Sequence, residues 1–119
     1  MAVELIRNKH SVGQSAYHFV WRPKYKVAVF RHPWVKQVCE DALKEAAKKH
    51  EIKIHEMKVM EDHVHIFAEI PATMQVSKAL QLLKGASARR FFQRCSIWHR
   101  YFAKDGERKP HLWSPGKFY

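Results

Sequence analysis

The chain contains Glu61-Asp62-His63-Val64-His65-Ile66-Phe67-Ala68-Glu69-Ile70, in which apolar and polar side chains alternate from His63 onward. A period of two is typical of a β-strand, so aliphatic side chains occupy one face and both histidines occupy the other. Residues two apart on a strand lie roughly 6.5 Å apart. Both rings can therefore approach one divalent cation, because bonds from a metal to imidazole nitrogen measure about 2 Å. The stretch predicts a strand that carries half of a metal site.

Two interpretations of this histidine pair are open. The chain has nine histidines among 119 residues, so a spacing of two can arise by chance at the surface of a strand. The neighbouring acids Glu61 and Asp62 favour a metal site, because either could supply the oxygen ligand that Mg²⁺ or Mn²⁺ prefers. In a regular strand Asp62 points away from the histidines. It can join them only if the chain bends before His63.

Charge is the most unusual property of the composition. The formal net charge is +11 and the isoelectric point is near 9.9, while the hydrophobic and charged fractions are ordinary for a globular protein. Such an excess of positive charge attracts polyanions, which makes nucleic acid the leading partner. An anionic membrane surface is less favoured, because the sequence lacks a long basic amphipathic helix and a lipidation motif.

Cysteine content and hydropathy indicate the compartment. Cys39 and Cys95 lie in predicted helices without metal-ligand spacing, which is typical of buried thiols in a reducing environment. No apolar run approaches the roughly 20 residues needed to cross a bilayer, and the N-terminus lacks the apolar segment of a signal peptide. We expect a cytoplasmic protein without a membrane association.

The first part of the chain predicts an arm followed by a strand. Residues 1–14 have no clear period and are interpreted as an N-terminal arm. Aromatic and β-branched side chains favour a strand at residues 16–22. Pro23 ends this strand, because proline cannot donate a hydrogen bond to a central ladder.

A helix and a bulged strand are predicted next. Pro33 fits the first turn of a helix with an apolar stripe at helical spacing; the stripe contains Val35, Val38, Cys39, Ala42, Leu43 and Ala46. Residues 51–60 are strand-like, and their apolar positions change face near His55 and Glu56, which a β-bulge would explain. The turn into the histidine strand is predicted at residues 60–62.

The last part of the chain completes the predicted fold. Pro71 closes the histidine strand, residues 72–95 predict a second helix, and Leu112 and Trp113 predict an inward-facing fourth strand. The order predicts an α+β, ferredoxin-like βαββαβ domain over residues 1–119, with an antiparallel sheet and two helices on one face. This frame hosts many functions and therefore identifies none by itself.

Basic residues mark two candidate nucleic-acid contacts. Gly85 and its small neighbours leave a bare patch on the second helix, beside a set of cations, namely Lys84, Arg89, Arg90 and Arg94. Arg22 and Lys24 add positive charge just after the first predicted strand. Contacts with backbone phosphates would explain both sets in so basic a chain. A solvated basic surface is the alternative for each.

Four stretches together resemble the small HUH transposases of the insertion-sequence 200/605 family, named for two histidines around a hydrophobic residue. The stretches are Tyr17-His18-Phe19-Val20-Trp21-Arg22-Pro23-Lys24-Tyr25, Asp62-His63-Val64-His65-Ile66, the helix Leu83-Lys84-Gly85-x-Ser87-x-Arg89-Arg90, and Leu112-Trp113-Ser114-Pro115-Gly116. A lone histidine pair is weak evidence, whereas four stretches in this order and spacing form a specific pattern. The resemblance extends from about residue 10 to the end of the chain.

The resemblance implies a homodimeric, metal-dependent enzyme that acts on single-stranded DNA at transposon ends and recognises subterminal hairpins. By this resemblance His63 and His65 hold Mg²⁺ or Mn²⁺ at the scissile phosphate. Asp62 is a further candidate ligand because of its position next to His63. A tyrosine then attacks the phosphorus, which leaves a 5′-phosphotyrosine link and a free 3′-hydroxyl that later rejoins strands. Metal assistance is reasonable, because a phenol with a pKa near 10 is a weak nucleophile at neutral pH.

One departure from the family pattern concerns the nucleophile. In the family the tyrosine lies on a C-terminal helix after the fourth strand, commonly with a glutamine one turn later, and this sequence ends at Tyr119 before such a helix. Tyr119 is the candidate nucleophile within the chain, while Tyr17, Tyr25 and Tyr101 are interpreted as sheet or core aromatics. The chain is either truncated or without the usual nucleophile.

Two other function classes are open. A non-catalytic module of the same fold could bind single-stranded nucleic acid through aromatic side chains on its sheet, and Phe67 is compatible with that role, but the glycine motif of RNA-recognition domains is missing. A metal-dependent hydrolase that uses water would need further ligands, and the sequence contains neither a zinc-protease helix motif nor a second acidic cluster.

Overall fold

The structure is a computed structural model that describes residues 5–6, 15–24, 29–98 and 111–114. In this part of the chain one antiparallel sheet contains β1 (Leu5–Ile6), β2 (Ser15–Trp21), β3 (Lys53–Val59) and β4 (Val64–Ile70), in the order β1-β2-β4-β3. The helices are α1 (Pro33–Lys49) and α2 (Val76–Arg94). The histidine-bearing strand β4 is hydrogen-bonded to β2 on one side and to β3 on the other. It is therefore a central strand.

One face of the sheet packs against both helices. The aliphatic positions of β4 are buried, as the period of two predicts; they are Val64, Ile66, Ala68 and Ile70. They form one core with Phe19 and Trp21 of β2 and with the apolar stripes of the helices, including Val35, Cys39, Leu43, Ala47, Ala79, Leu80, Leu83 and Phe91. This arrangement confirms the predicted α+β, ferredoxin-like fold. His65 of β4, and His63 just before the strand, occupy the face opposite the helices.

The helix starts follow local capping chemistry. His32 is the N-cap of α1, where its ring nitrogen accepts a hydrogen bond from the Trp34 amide at 3.2 Å, and Pro33 occupies the first turn. Helix α2 begins at Val76 rather than at residue 72, because the Met74 amide donates to the Pro71 carbonyl at 3.0 Å and closes a turn first. The α2 prediction was right about the element and early by four residues.

The predicted bulge in β3 is confirmed. The pairing of β3 with β4 shifts register between Ile54 and Glu56, so His55 is the extra residue. A bulge places two residues opposite one and changes the face on which later side chains lie. This shift explains why the apolar positions of β3 change face.

Within the described residues 111–114, the predicted fourth strand forms a single bridge, in which Trp113 pairs antiparallel with Pro23. The hydrogen bonds come from the neighbours of the proline: the Lys24 amide donates to Leu112 and the Ser114 amide donates to Arg22, both at 2.7 Å. Pro23 lacks an N–H, but this pairing does not require one. Leu112 and Trp113 face the core as predicted, with 0% and 6% of their surfaces exposed.

Strand β1 was not predicted. Leu5 and Ile6 lie within residues interpreted as an arm, and they pair antiparallel with Tyr17 and Ala16. A strand of two residues is too short to show a period in the sequence. Its existence is evident only from its pairing with the edge of β2. The N-terminal region and the Trp113 segment thus use two parts of the same strand edge.

The cysteine prediction is confirmed, because Cys39 and Cys95 are both free thiols and both buried. Burial raises the pKa of each thiol, most strongly for Cys39. Neither described helix is both long enough and apolar enough to cross a bilayer.

Candidate functional site

The histidine pair lies at the start of the central strand. His65 is exposed within β4, His63 immediately precedes the strand, and the centroids of the two rings are 6.4 Å apart. Because Val64 and Ile66 are fixed in the core on either side of His65, the backbone under both rings is held in place. The structure therefore brings together the two residues that the sequence selected, on the face without helices.

Asp62 accompanies this pair, because the chain bends before His63. The Nδ1 of His63 donates to Asp62 Oδ1 at 3.1 Å. That hydrogen bond lowers the pKa of the Asp62 carboxyl, and the nearby Arg22 guanidinium lowers it further. With the proton on Nδ1, the Nε2 of neutral His63 keeps its lone pair for a ligand. Asp62 is thus placed to orient His63, which differs from the direct metal contact that we considered from the sequence.

A third imidazole lies beside the pair. His18 of β2 has its ring centroid 5.9 Å from that of His65 and stacks on Phe67 at 4.8 Å. Partial desolvation, and then the proximity of His18 and His63, lowers the pKa of His65. A lowered pKa favours the neutral ring, which is the form that binds metals. Sequence reasoning missed His18, although its position in the alternation of β2 could have placed it on the same face.

A partly buried hydrogen bond between β3 and β4 extends this row of rings. The Nε2 of His55, the extra residue of the β3 bulge, donates to Glu69 Oε1 at 2.8 Å, and its ring lies 5.5 Å from that of Phe67. Glu69 is 6% exposed, so this hydrogen bond satisfies a carboxylate that would be costly to bury alone. Five rings therefore lie next to one another across β3, β4 and β2; in order they are His55, Phe67, His18, His65 and His63.

The histidine pair offers two nitrogen ligands to a divalent cation. Two imidazoles share a face, one has an oriented lone pair and the other has a lowered pKa. Among residues 5–6, 15–24, 29–98 and 111–114, no group of three histidine, cysteine or acidic side chains has the geometry of a metal site. The described part of the chain therefore fits a cation through two nitrogen ligands, and further ligands would come from water, substrate phosphate or other residues.

The predicted cations of α2 have three different environments. Arg90 and Arg94 pair with Glu45 of α1, at 3.4 Å and 2.7 Å, and these contacts lower the pKa of Glu45. The ammonium of Lys84 donates to the Ser114 carbonyl at 2.7 Å, and burial lowers its pKa. Arg89 is exposed on the solvent side of the helix. All four belong to the layer of helices, and therefore not to the face that carries His63.

A groove of about 620 Å³ runs beside this side of α2; it is lined by Gln75, Ser77, Lys78, Leu80, Gln81, Lys84 and Gly85. A Cβ atom added at Gly85 would have nothing within 4 Å. Among the described residues no neighbour therefore requires glycine there, although glycine inside a helix costs about 1 kcal/mol relative to alanine. The bare patch predicted at Gly85 is present and open.

Arg22 and Lys24, the basic residues after the first predicted strand, have different environments in the structure. Arg22 is exposed at the end of β2, close enough to Asp62 to affect its pKa. Lys24 is half-buried, and its backbone joins the Leu112 segment. Arg22 is thus the predicted nucleic-acid contact that the structure brings to the histidine pair.

Tyr17 is the one tyrosine among the described residues. Its ring lies 6.1 Å from Phe19 and packs against the core, on the face opposite the histidines. It therefore cannot reach a phosphate beside His63. Tyr119, the candidate nucleophile, lies outside the described residues.

Comparisons with known proteins identify one family. Residues 11–119 match the family described as IS200-like transposases. The ISDra2 transposase TnpA of Deinococcus radiodurans is 32% identical over 92 residues, which cover 77% of this chain and 65% of that protein. The transposase for insertion sequence element IS200 of Salmonella typhimurium is 29% identical over 79 residues, which cover 66% of this chain and 51% of that protein. The chain thus spans less than two thirds of the length of either relative.

Two solved structures share the fold. A crystal structure of a candidate transposase from Deinococcus radiodurans superposes with a TM-score of 0.71 at 24% identity, covering 93% of this chain and 81% of the other. A REP-associated tyrosine transposase bound to a REP hairpin superposes with a TM-score of 0.55 at 15% identity, covering 93% of this chain and 57% of the other. At these identities the likeness establishes the architecture.

Proposed function

Because the chain belongs to the family of IS200-like transposases, we propose that it nicks and rejoins single-stranded DNA at transposon ends through a 5′-phosphotyrosine intermediate, as a homodimer that binds subterminal hairpins. The observation that carries the proposal is the pair of accessible imidazoles on the helix-free face of the central strand. The net charge of +11 supports a polyanionic substrate.

The reaction exchanges one phosphodiester bond for another. The tyrosine oxygen bonds to the phosphorus, the bond to the 3′ oxygen breaks, and that oxygen takes a proton as it leaves as a 3′-hydroxyl. The nucleophile is Tyr119 or a tyrosine beyond it. His63 and His65 would hold Mg²⁺ or Mn²⁺, which would withdraw charge from the phosphate and stabilise the leaving oxygen. Asp62 orients His63, and Arg22 contacts the DNA backbone beside the pair.

A denaturing gel tests this function. A hairpin-bearing single-stranded oligonucleotide is incubated with the protein and Mn²⁺, with the label at either the 3′ or the 5′ end. The 3′ label should move into a covalent protein adduct, whereas the 5′ label should appear in a shorter free fragment ending in a 3′-hydroxyl. Free fragments from both labels would instead indicate a hydrolase.

A non-catalytic DNA-binding module is the second candidate function. It is favoured by one observation, namely that no three of the described residues form a metal site and that Tyr17, the one described tyrosine, lies on the face opposite the histidines. A mobility shift under native conditions without any adduct or fragment would identify this function and would contradict the proposed transposase activity.

The Asp62 carboxylate is predicted to strengthen cation binding through His63. Replacement of Asp62 by Ala should weaken Mn²⁺ binding about tenfold or more, the usual effect of losing a hydrogen bond to a metal-binding histidine. Asp62→Asn should retain part of the affinity, because the amide oxygen can still accept from His63 Nδ1. Isothermal titration calorimetry measures both variants, with Asp41→Ala, which removes an exposed carboxylate of α1, as the matched control. Equal affinities for all variants would remove Asp62 from the site.

Arg89 is predicted to contact a backbone phosphate. Arg89→Ala should reduce the slope of log affinity against log salt concentration by about 1, because one fewer counterion is displaced on hairpin binding. Arg90→Ala should change the slope less, since Arg90 already pairs with Glu45. Fluorescence anisotropy over a salt series measures the slopes, and Gln93→Ala, an exposed neutral position on α2, is the control. An unchanged slope for Arg89→Ala would support a solvated basic surface.

A further inference from the structure

Strand β3 carries a lysine beside the histidine pair. Lys58 is directly opposite His65 in the antiparallel pairing of β3 with β4, and the next residue, Val59, pairs with Val64 in the core. Opposite residues of two antiparallel strands project from the same face of the sheet, with Cβ atoms about 5 Å apart. Lys58 therefore stands on the helix-free face, next to the second histidine of the pair.

The Lys58 side chain is accessible from solvent. It is 65% exposed, and its ammonium lies 3.9 Å from the carboxylate of Glu56, which is 67% exposed. An ion pair of this length between two exposed side chains contributes little, so it does not fix the lysine in one position. The charge of Lys58 nevertheless acts on the site. After partial burial and the two neighbouring imidazoles, it is a further cause of the lowered pKa of His65, whereas Glu56 raises that pKa.

A lysine at this position opposes the binding of a bare metal ion. Like charges repel, and an ammonium beside a divalent cation lowers the affinity of the site for that cation. The repulsion is offset when an anion lies between the two charges, because the oxygens of a phosphate attract both. Lys58 thus favours a phosphate at the histidine pair over a cation alone.

A second cation lies on the other side of the histidine pair. Trp21 is directly opposite Val64 in the pairing of β2 with β4, so Arg22 lies just beyond them, beside His63. The Arg22 side chain is exposed. Strands β2 and β3 are the two neighbours of β4, and each lies about 4.8 Å from it. Arg22 and Lys58 therefore flank the histidine pair in the direction that crosses the strands.

We infer that Lys58 contacts the phosphate at the histidine pair, and that single-stranded DNA crosses the sheet from Arg22 on β2 to Lys58 on β3. The inference rests on the proposed function, because it takes the bound polyanion to be single-stranded DNA, and it adds a path for the backbone. A path along β3 is less favourable. Glu56, which is exposed and opposite Phe67 on the same face, would repel the next phosphate in that direction.

Binding of an unstructured oligothymidine of about six nucleotides tests the path. Fluorescence anisotropy over a salt series should show that Lys58→Met and Arg22→Ala each reduce the slope of log affinity against log salt concentration by about 0.7, the value for one phosphate contact with a single strand. Lys58→Arg should retain the wild-type slope. The matched control is Lys53→Met, because Lys53 is exposed on the same strand and face but opposite Glu69, four residues along β4 from His65.

Two results of this experiment would overturn the inference. An unchanged slope in Lys58→Met would remove the phosphate contact. A loss in Lys53→Met equal to that in Lys58→Met would show that the backbone runs along β3 and does not cross the sheet. Because both lysines are exposed, each variant should fold, and urea unfolding checks that its stability is within about 0.5 kcal/mol of the wild-type value.

Calorimetry with Mn²⁺ alone separates an effect of charge from an effect of structure. Without DNA, Lys58→Met should bind Mn²⁺ about two- to threefold more tightly, because the repulsion from an ammonium on the neighbouring strand, reduced by water and salt, amounts to about that factor. Lys58→Arg and Lys53→Met should stay close to the wild-type affinity. Equal or weaker binding of Mn²⁺ by Lys58→Met would show that its ammonium does not face the cation site and would overturn the inference.

Failure of the inference and failure of the proposed function give different results. If wild-type protein forms no covalent adduct or binds no Mn²⁺, the proposed reaction fails, while a reduced salt slope in Lys58→Met but not in Lys53→Met would still support the path. Normal adduct formation by wild-type protein, together with a wild-type salt slope in Lys58→Met, would overturn the path and leave the proposed function in place.

Discussion

Alanine at His63 or at His65 is expected to reduce formation of the covalent protein–DNA adduct by about a thousandfold. A bound cation that stabilises charge at the phosphate contributes several kcal/mol, and about 4 kcal/mol corresponds to a factor of about 1,000 in rate. Hairpin binding should change little, because the phosphate contacts proposed for α2 lie on the helix side of the sheet. Adduct yield against time in Mn²⁺ and anisotropy binding with the same oligonucleotide measure the two effects.

The matched control for this experiment is His32→Asn. His32 is an exposed imidazole outside the site, and asparagine preserves its capping of α1. This variant should retain wild-type rates and wild-type Mn²⁺ affinity. Adduct formation at the normal rate by either site variant would remove that histidine from the cation site. Parallel loss of DNA binding would instead indicate a general structural defect.

Trp113→Ala should destabilise the protein by about 3–5 kcal/mol, the usual cost of removing a buried aromatic side chain. The Trp113 ring lies 5.6 Å from that of Trp21 in an edge-on contact and 5.7 Å from that of Phe30, and its indole nitrogen binds Ser87. Domains of this kind are commonly stable by only 5–15 kcal/mol. Urea unfolding followed by far-ultraviolet circular dichroism measures the change without depending on tryptophan fluorescence.

Trp34→Ala provides the comparison for that measurement. The Trp34 side chain is 56% exposed at the start of α1, so its removal should change stability by no more than about 0.5 kcal/mol. Equal effects of the two substitutions would show that the Trp113 segment contributes little to the core. A large effect at Trp113 alone would show that the Leu112–Ser114 segment, which is distant in sequence from β2, completes the sheet edge next to that strand.

Local periodicity was sufficient for the main elements and for the histidine pair. The alternation after His63 identified the face of β4, and the change of apolar face near His55 identified the bulge, because both signals arise from the two-residue repeat of a strand. The burial of Leu112 and Trp113 followed from their apolar character. These features depend on neighbours in sequence, which is why they could be predicted.

Pairing between distant residues could not be predicted in this way. Glu45 binds Arg94 across 49 positions and Lys84 binds Ser114 across 30, and no periodicity encodes such separations. The approach of His18 to His65 depends on the register between β2 and β4, which a single strand does not specify. Cations that looked equivalent in the sequence therefore differ: some form contacts within the protein and Arg89 is exposed.

The central place of β4 in the sheet also bears on motion during the reaction. A strand with hydrogen-bonded neighbours on both sides and a buried face opens only rarely, and such strands commonly approach the global unfolding free energy in hydrogen exchange. In the proposed reaction, the backbone that carries the two imidazoles should therefore keep its position between strand cleavage and strand joining. The rearrangement that the proposal requires would then fall on the DNA and on the polypeptide that contacts it.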